Sequence, residues 1–450
     1  MRRKIDERLA AWAQNPKAHP LLVRGARRVG KTYALKTLGT ERFGTDNFAY
    51  CDFQTDLDQF NRIFAGTTDV ERIVSDLSLF LRKDIVAGKT LVVFDEIQLC
   101  EKALSSLRYF AESSYRVIAS GSQLGFTLHE RALPFPSDVD QITLHPLDFE
   151  EFLWAFGETR MADGIRTAFG TKEQFLLHGE ALARYHQYVV IGGMPSAIKE
   201  FVDSQDFGQV RTLQSEINQT YMADIALYAP ADSVVSTQAV WASIPKQIAR
   251  ETTGKFKYTD VATGGRERKY RTPLAWLEAA ELVSLNYQTN EVEAPLVARN
   301  DGSFFKVYLA DTGILFFRLN IDAGVYLDDT QRPMLSARFR GALAENYVMG
   351  ALRANGLETF YWTPGTSSQN EVEFVVQNRR GQVVPIEVKS GDNVASASLN
   401  SYRKKSKAPV AVRISARNFG LENGIFSVPL YATFCLDEQS LSNISLTPAG

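Results

Sequence analysis

Residues 25–32 read Gly-Ala-Arg-Arg-Val-Gly-Lys-Thr, a GxxxxGK[ST] pattern whose chemistry is the cradling of a phosphate chain. Glycines let such a loop curl, so that successive backbone N–H groups face phosphate oxygens. The Lys31 ammonium can reach the β- and γ-phosphates, and the Thr32 hydroxyl can ligate Mg²⁺. The apolar run Leu21-Leu22-Val23 precedes the loop and a helix-forming stretch from Lys31 to Leu38 follows it. The anion would therefore also face the positive end of a helix dipole. The expected contact set is Gly25, Ala26, Arg27, Arg28, Val29, Gly30, Lys31, Thr32 and Tyr33, and the expected cofactors are ATP and Mg²⁺.

A second constellation adds hydrolysis. Leu91-Val92-Val93-Phe94-Asp95-Glu96 is an apolar run ending in two acids, the form of a buried parallel strand with its functional end at the C-terminus. Asp95 is placed to hold Mg²⁺ and Glu96 to polarise the attacking water. The bland alternative is a solvated acidic turn. Arg116-Val117-Ile118-Ala119 then leads into Ser120-Gly121-Ser122, where Ser120 could sense the γ-phosphate, although Ser-Gly-Ser is also simply a good loop.

A third constellation lies near the C-terminus. Glu371-Val372-Glu373-Phe374-Val375-Val376 and Val384-Pro385-Ile386-Glu387-Val388-Lys389 alternate like strands, and the turn between them contains Gly381. Side chains alternate faces, so Glu371 and Glu373 share one face while Glu387 and Lys389 share another. Paired across the hairpin, Glu373 and Glu387 could converge on a divalent cation with Lys389 beside it. Such a site would suit phosphodiester hydrolysis: the metal acidifies bound water and the ammonium steadies developing charge. The competing reading is a solvated charged face.

These residues need elements to position them. Ile5, Leu9 and Trp12 predict a short first helix, Phe48 to Phe53 a strand, and Glu71 to Lys83 a helix. The Asp95 and Ser120 strands and Gln141 to Leu144 complete an alternation of strand and helix, which predicts an α/β fold with a parallel sheet and right-handed crossovers. From Leu147 to Tyr228 the pattern is mostly helical, broken at Ile191-Gly192-Gly193-Met194-Pro195, and reads as a helical lid. Val240, Ile244 and Ile248 mark a helix that Pro245 must kink or restart. Thr272 and Pro273 read as the cap and first turn of another helix, and Leu282 to Leu285 as a returning wing. Arg266, Arg268, Lys269 and Arg271 lie just before that capped helix, where a recognition helix would enter a groove. A basic run of this length is also commonly a solvated face. Ala337 to Asn355 predicts an amphipathic helix closed by Gly356.

Composition bounds the rest. The 450 residues, 45% hydrophobic and 23% charged, suit a globular chain of about three domains. With 50 basic and 52 acidic residues the net charge is −2, so any nucleic-acid surface must be local. Cys51, Cys100 and Cys435 lack paired spacing, arguing against a disulfide framework or zinc site and for a cytoplasmic setting. The five histidines show no ligand spacing either. No apolar stretch predicts a membrane span or signal peptide. The expected divisions are 1–150 for the phosphate-loop domain, 151–232 for the lid, 233–300 for the winged module and 301–450 for the C-terminal domain.

The order GARRVGKT, VVFDEIQ, IASGS, PLDFEEFL, IGGMPSAI, YLADTGI, ALAENYV, NEVEFVV and IEVKSG resembles the prokaryotic AAA-type ATPases with a C-terminal domain similar to restriction-endonuclease folds. The resemblance implies Gly25, Gly30, Lys31 and Thr32 as nucleotide ligands and Asp95 with Glu96 as the Walker B pair. In the C-terminal part it implies Glu345, Glu373 and Glu387 as metal-binding acids and Lys389 as a catalytic lysine. That pattern has Asp where this chain has Glu373, and the extra methylene moves the carboxylate by roughly a bond length. Arg131 is the nearest candidate for an arginine completing a neighbour's ATP site. Two readings follow. One is an ATPase coupled to a nucleic-acid-directed nuclease; the other is a nucleotide-switched regulatory protein that keeps an inactive nuclease-like scaffold for a protein partner.

Overall fold

Five apolar segments, β1 (Leu21–Arg24), β2 (Phe48–Asp52), β3 (Leu91–Asp95), β4 (Arg116–Gly121) and β5 (Asp140–Thr143), pair in the order β2-β3-β4-β1-β5. All four pairings are parallel, with Leu22 opposite Ala119 and Val93 opposite Ile118. The strands read as near-continuous hydrophobic runs because helices cover both faces of such a sheet. The computed structural model describes residues 1–122, 138–250, 254–299, 302–365, 370–392, 397–406, 408 and 410–444. Arg131 and its neighbours lie outside the described residues.

This sheet belongs to the first of two compact units, formed by residues 2–145 with 279–281. Its first helix, Lys4–Gln14, buries Ile5, Leu9 and Trp12 as their spacing predicts. The helix expected over Glu71 to Lys83 runs Val70–Leu81, with the Asp69 carboxylate capping the Glu71 N–H. A helix at Leu57–Ala65 had no sequence expectation; it buries Phe60 and Phe64. These two rings join Phe53, Phe94 and Phe110 in an aromatic core, with Phe53 and Phe60 centroids 4.5 Å apart and Phe64 edge-on to Phe94 at 5.5 Å. The later segment contributes Glu281, 3.8 Å from Arg24 at the end of β1.

The second unit runs from Pro146 to Glu278 and from Leu282 onward. Its helices Phe149–Ala155, Thr159–Thr171, His178–Ile191, Pro195–Ser204, Phe207–Tyr228, Val234–Arg250 and Glu267–Ala279 precede an eight-stranded mixed sheet. The strands are β6 (Val283–Thr289), β7 (Phe305–Leu309), β8 (Thr359–Trp362), β9 (Val372–Gln377), β10 (Val383–Val388), β11 (Ala411–Ser415), β12 (Gly420–Glu422) and β13 (Ile425–Pro429), ordered β12-β13-β11-β10-β9-β8-β6-β7. The helix Ala337–Ala354 buries Leu343, Tyr347, Val348 and Leu352, as predicted.

Several expectations are corrected. The strand read as a wing is β6, paired antiparallel to β7 and parallel to β8 inside the large sheet. The chain divides after His145, five residues from the expected division at 150, and positions 232 and 300 both fall inside the second compact unit. Thr272 and Pro273 do not start their helix; it begins at Glu267 and carries Pro273 inside. Pro245 likewise sits within a helix running from Val234 to Arg250. Each proline removes one intrahelical hydrogen bond, and both lie buried against the core, where packing outweighs local preference.

The Gly192–Gly193 turn ends one helix and Pro195 opens the next at its first position, as its residue types predict. Gly192 has φ +80°, and a Cβ there would meet the Asp311 carboxylate at 2.3 Å. Asp311 accepts from the Gly193 N–H at 2.6 Å and from the Ile314 N–H at 2.8 Å, capping the helix Thr312–Leu319. Burial pushes the Asp311 carboxyl up to about 6, opposed by those N–H donors.

Candidate functional site

The phosphate-type loop leaves the C-terminal end of β1 and enters the helix Lys31–Leu38. Gly25 adopts φ +147°, and a Cβ there would stand 2.2 Å from the Leu144 carbonyl oxygen. Only glycine fits that approach. Gly30 is left-handed at φ +99°, and so is Arg28 at φ +67°, a conformation that non-glycine residues rarely adopt. Ala26 and Val29 are buried, so only their backbone can serve a ligand. Arg28 and Tyr33 are exposed, Tyr33 by 61%. The Lys31 ammonium, 5% exposed, donates to the Gly25 and Ala26 carbonyls at 2.8 Å each.

The neighbouring strands bring their acids to the same place. The Thr32 hydroxyl donates to Asp95 Oδ2 at 2.7 Å. The Ser120 hydroxyl, from β4, donates to Asp95 Oδ1. Tyr50, from β2, donates its phenol to Asp95 Oδ2. Burial, reinforced by Asp95, raises the Tyr50 pKa, so the phenol keeps its proton. Glu96 follows β3 in a left-handed conformation (φ +57°) and accepts from Gln98 Nε2 at 2.6 Å and from the Ser122 hydroxyl at 3.5 Å. Lys31, Thr32, Asp95 and Ser120 thus converge, with Glu96 one residue beyond. A loop whose first glycine admits no Cβ and a hydroxyl–carboxylate pair 2.7 Å apart fit a nucleotide with Mg²⁺.

Sequence reasoning passed over three contributors. Arg3 donates to the Val29 carbonyl at 3.0 Å and to the His145 carbonyl at 2.8 Å, bracing the loop from the N-terminal helix. Tyr50 stands in Phe-Ala-Tyr-Cys-Asp, where alternation marks a strand but not a hydroxyl facing Asp95. Gln98 belongs to the quoted VVFDEIQ segment, and its distance from Glu96 was the only available signal.

The second unit gathers the C-terminal acids. In the β9–β10 hairpin Ile386 lies opposite Phe374, and continuing that register sets Glu387 opposite Glu373. Lys389 stands 3.7 Å from Glu373 and 3.5 Å from Glu387. Arg413 of β11 lies 3.5 Å from Glu387, and the Val388 N–H donates to Glu373 Oε2 at 3.1 Å. Lys306 of β7 lies 3.2 Å from Glu345 and bonds the Glu371 carboxylate; Tyr308 donates to Glu345 at 3.1 Å. Burial pushes Glu373 up to about 7, with Lys389 opposing.

Among the described residues no group of three or more His, Cys, Asp or Glu side chains is arranged to hold a metal ion. Glu345, Glu373 and Glu387 are instead each paired to a cation of the chain, and Lys389 is held between two carboxylates. Lys306, Tyr308 and Arg413 were missed; within apolar strand segments their types do not reveal which face they occupy.

The loop and sheet define a P-loop nucleoside-triphosphatase fold, and residues 17–153 match the family described as an AAA domain, a class of ATP-binding ATPases. Residues 182–324 and 340–433 match two families described as domains of unknown function, DUF8612 and DUF4143. Curated protein sequences give no match. Among solved structures, Cdc6p from Pyrobaculum aerophilum is 13% identical over 68% of this chain and 88% of its own, with a TM-score of 0.24. The Aeropyrum pernix ORC1 protein in complex with DNA is 14% identical over 70% and 91%, TM-score 0.26. PCH-2 from C. elegans is 12% identical over 62% and 67%, TM-score 0.24. Among the described residues no helix is long and apolar enough to cross a membrane.

Proposed function

We propose that this chain is an ATPase in which the loop from Gly25 to Tyr33 binds Mg²⁺-ATP and Glu96 activates the attacking water. The observation that carries this reading is the meeting of the Thr32 hydroxyl with Asp95 at 2.7 Å beside Lys31. Lys31 would neutralise the β- and γ-phosphates, Thr32 and Asp95 would hold the ion, and Ser120 would report on the γ-phosphate from β4. The bound Mg²⁺ supplies charge neutralisation as the phosphoryl group departs. Lys31→Ala should abolish nucleotide binding, whereas Glu96→Gln should keep binding and lose turnover by about 10²-fold or more. A purified wild-type protein that turned over no ATP, with or without DNA, would overturn the proposal.

A nucleic-acid partner is a further part of this reading. Arg266, Arg268, Lys269 and Arg271 are exposed at the start of the helix Glu267–Ala279. Cations at a helix N-terminus oppose the dipole by roughly 0.3–1 kcal/mol each, so folding stability does not explain them. A phosphate backbone would. ATP and ADP states would then alter how the second unit engages DNA or a protein partner.

A further inference from the structure

The four carboxylates of the large sheet and its flanking helix are met by three cations that belong to the chain. Lys306 contributes the innermost of these. Its side chain is 3% exposed, bonded to Glu371 and 3.2 Å from Glu345, and its ammonium lies 5.5 Å from the centre of the Tyr361 ring. Gly254 passes over it so closely that a Cβ would stand 3.2 Å from Nζ. Lys389 sits between Glu373 and Glu387, and Arg413 takes the other oxygen of Glu387.

A small divalent cation needs carboxylate oxygens at about 2.0–2.6 Å. The oxygens of Glu345 and Glu371 are already turned toward an ammonium, which contacts them at hydrogen-bond range. An ammonium bonded to those oxygens competes with a dication for them, and the two cations repel one another in a buried setting. Three cations also leave at most one uncompensated negative charge among the four acids.

We propose that Lys306 is the resident counter-ion of this carboxylate cluster and excludes divalent metal from it. The second unit then performs no metal-dependent phosphodiester cleavage, and withdrawing the ammonium converts the cluster into a divalent-cation site. The inference does not depend on the ATPase reading, since it concerns the nucleotide-free protein.

The test is a Mn²⁺ titration of full-length, nucleotide-free protein, followed by the electron paramagnetic resonance of free Mn²⁺. Wild type should bind no stoichiometric Mn²⁺, while Lys306→Met, which keeps length and apolar contacts, should gain one site at least ten-fold tighter than any wild-type binding. That site should vanish in the double variant Lys306→Met with Glu345→Gln. A wild-type protein holding one Mn²⁺ that Glu373→Gln releases would overturn the proposal, as would a folded Lys306→Met with no gain. If Lys306→Met fails to fold, the wild-type titration decides with Glu373→Gln beside it: stoichiometric binding that Glu373→Gln abolishes refutes, and its absence supports. Repeating the titration with ATP present reads the Lys31 site separately, so failure of either proposal is visible by itself.

Discussion

Replacing Asp311 by alanine should be among the most damaging single changes in the second unit. The carboxylate accepts the Gly193 N–H at 2.6 Å and the Ile314 N–H at 2.8 Å, both buried. Each donor left without a partner costs about 1–3 kcal/mol, and part of the Ile314 term is the usual loss of about 1 kcal/mol for a helix cap. Asp311→Ala is therefore expected to lose about 2–5 kcal/mol. Asp311→Asn keeps an acceptor and should lose under about 1.5 kcal/mol at pH 7. The two variants also differ in pH dependence. The folded carboxyl titrates at about 6 against 3.8 for the ordinary group. Between those values the folded state holds more protons, so its contribution is full below pH 3.8 and is lost as pH rises through about 6, by roughly 3 kcal/mol at most. Asp311→Asn should flatten that slope. Urea unfolding followed by tryptophan emission reports on the right unit, because Trp154, Trp241, Trp276 and Trp362 lie in it and Trp12 alone does not. Equal losses in the two variants, or an unchanged slope in Asp311→Asn, would refute the argument.

Other outcomes follow from the same geometry. Tyr50→Phe removes one of three hydroxyl donors to Asp95; with two remaining, Mg²⁺ for half-maximal ATP turnover should rise about 3- to 10-fold, while metal-free ATP binding stays constant. An unchanged Mg²⁺ profile would show that Tyr50 does not position Asp95. The double substitution Arg268→Ala, Lys269→Ala should weaken nucleic-acid binding alike for all sequences and lower the salt slope by about 2; an unaltered slope would place the contact elsewhere.

The parts that sequence made legible are those whose physics is local. A glycine-framed loop between an apolar run and a helix former, or a strand ending in Asp95-Glu96, carries its own position. So does the helix from Ala337, whose apolar residues recur at helical spacing. What stayed hidden is decided by partners far along the chain. Alternation marks Val283 to Thr289 as a strand but says nothing of β8 as its neighbour, so a wing was a natural expectation. Thr272-Pro273 imitates a helix start, yet buried Tyr270 and Leu274 hold the helix through it. Lys306 interrupts an apolar strand in a manner that ordinarily signals a solvent-facing side chain. Its burial depends on Glu345 and Glu371, 39 and 65 positions away. Pairing across such distances also decides whether acids ligate a metal or neutralise a lysine.

The tie between Arg24 and Glu281 has a kinetic meaning. The first unit's continuous stretch ends at His145, yet three of its residues are encoded roughly 136 positions later. At a ribosomal rate of about 5–20 residues per second, the missing tripeptide emerges roughly 7–30 s after the rest. The nascent nucleotide fold spends that interval without Glu281, so Arg24, at the loop-bearing end of its strand, awaits an acidic partner that has yet to be translated.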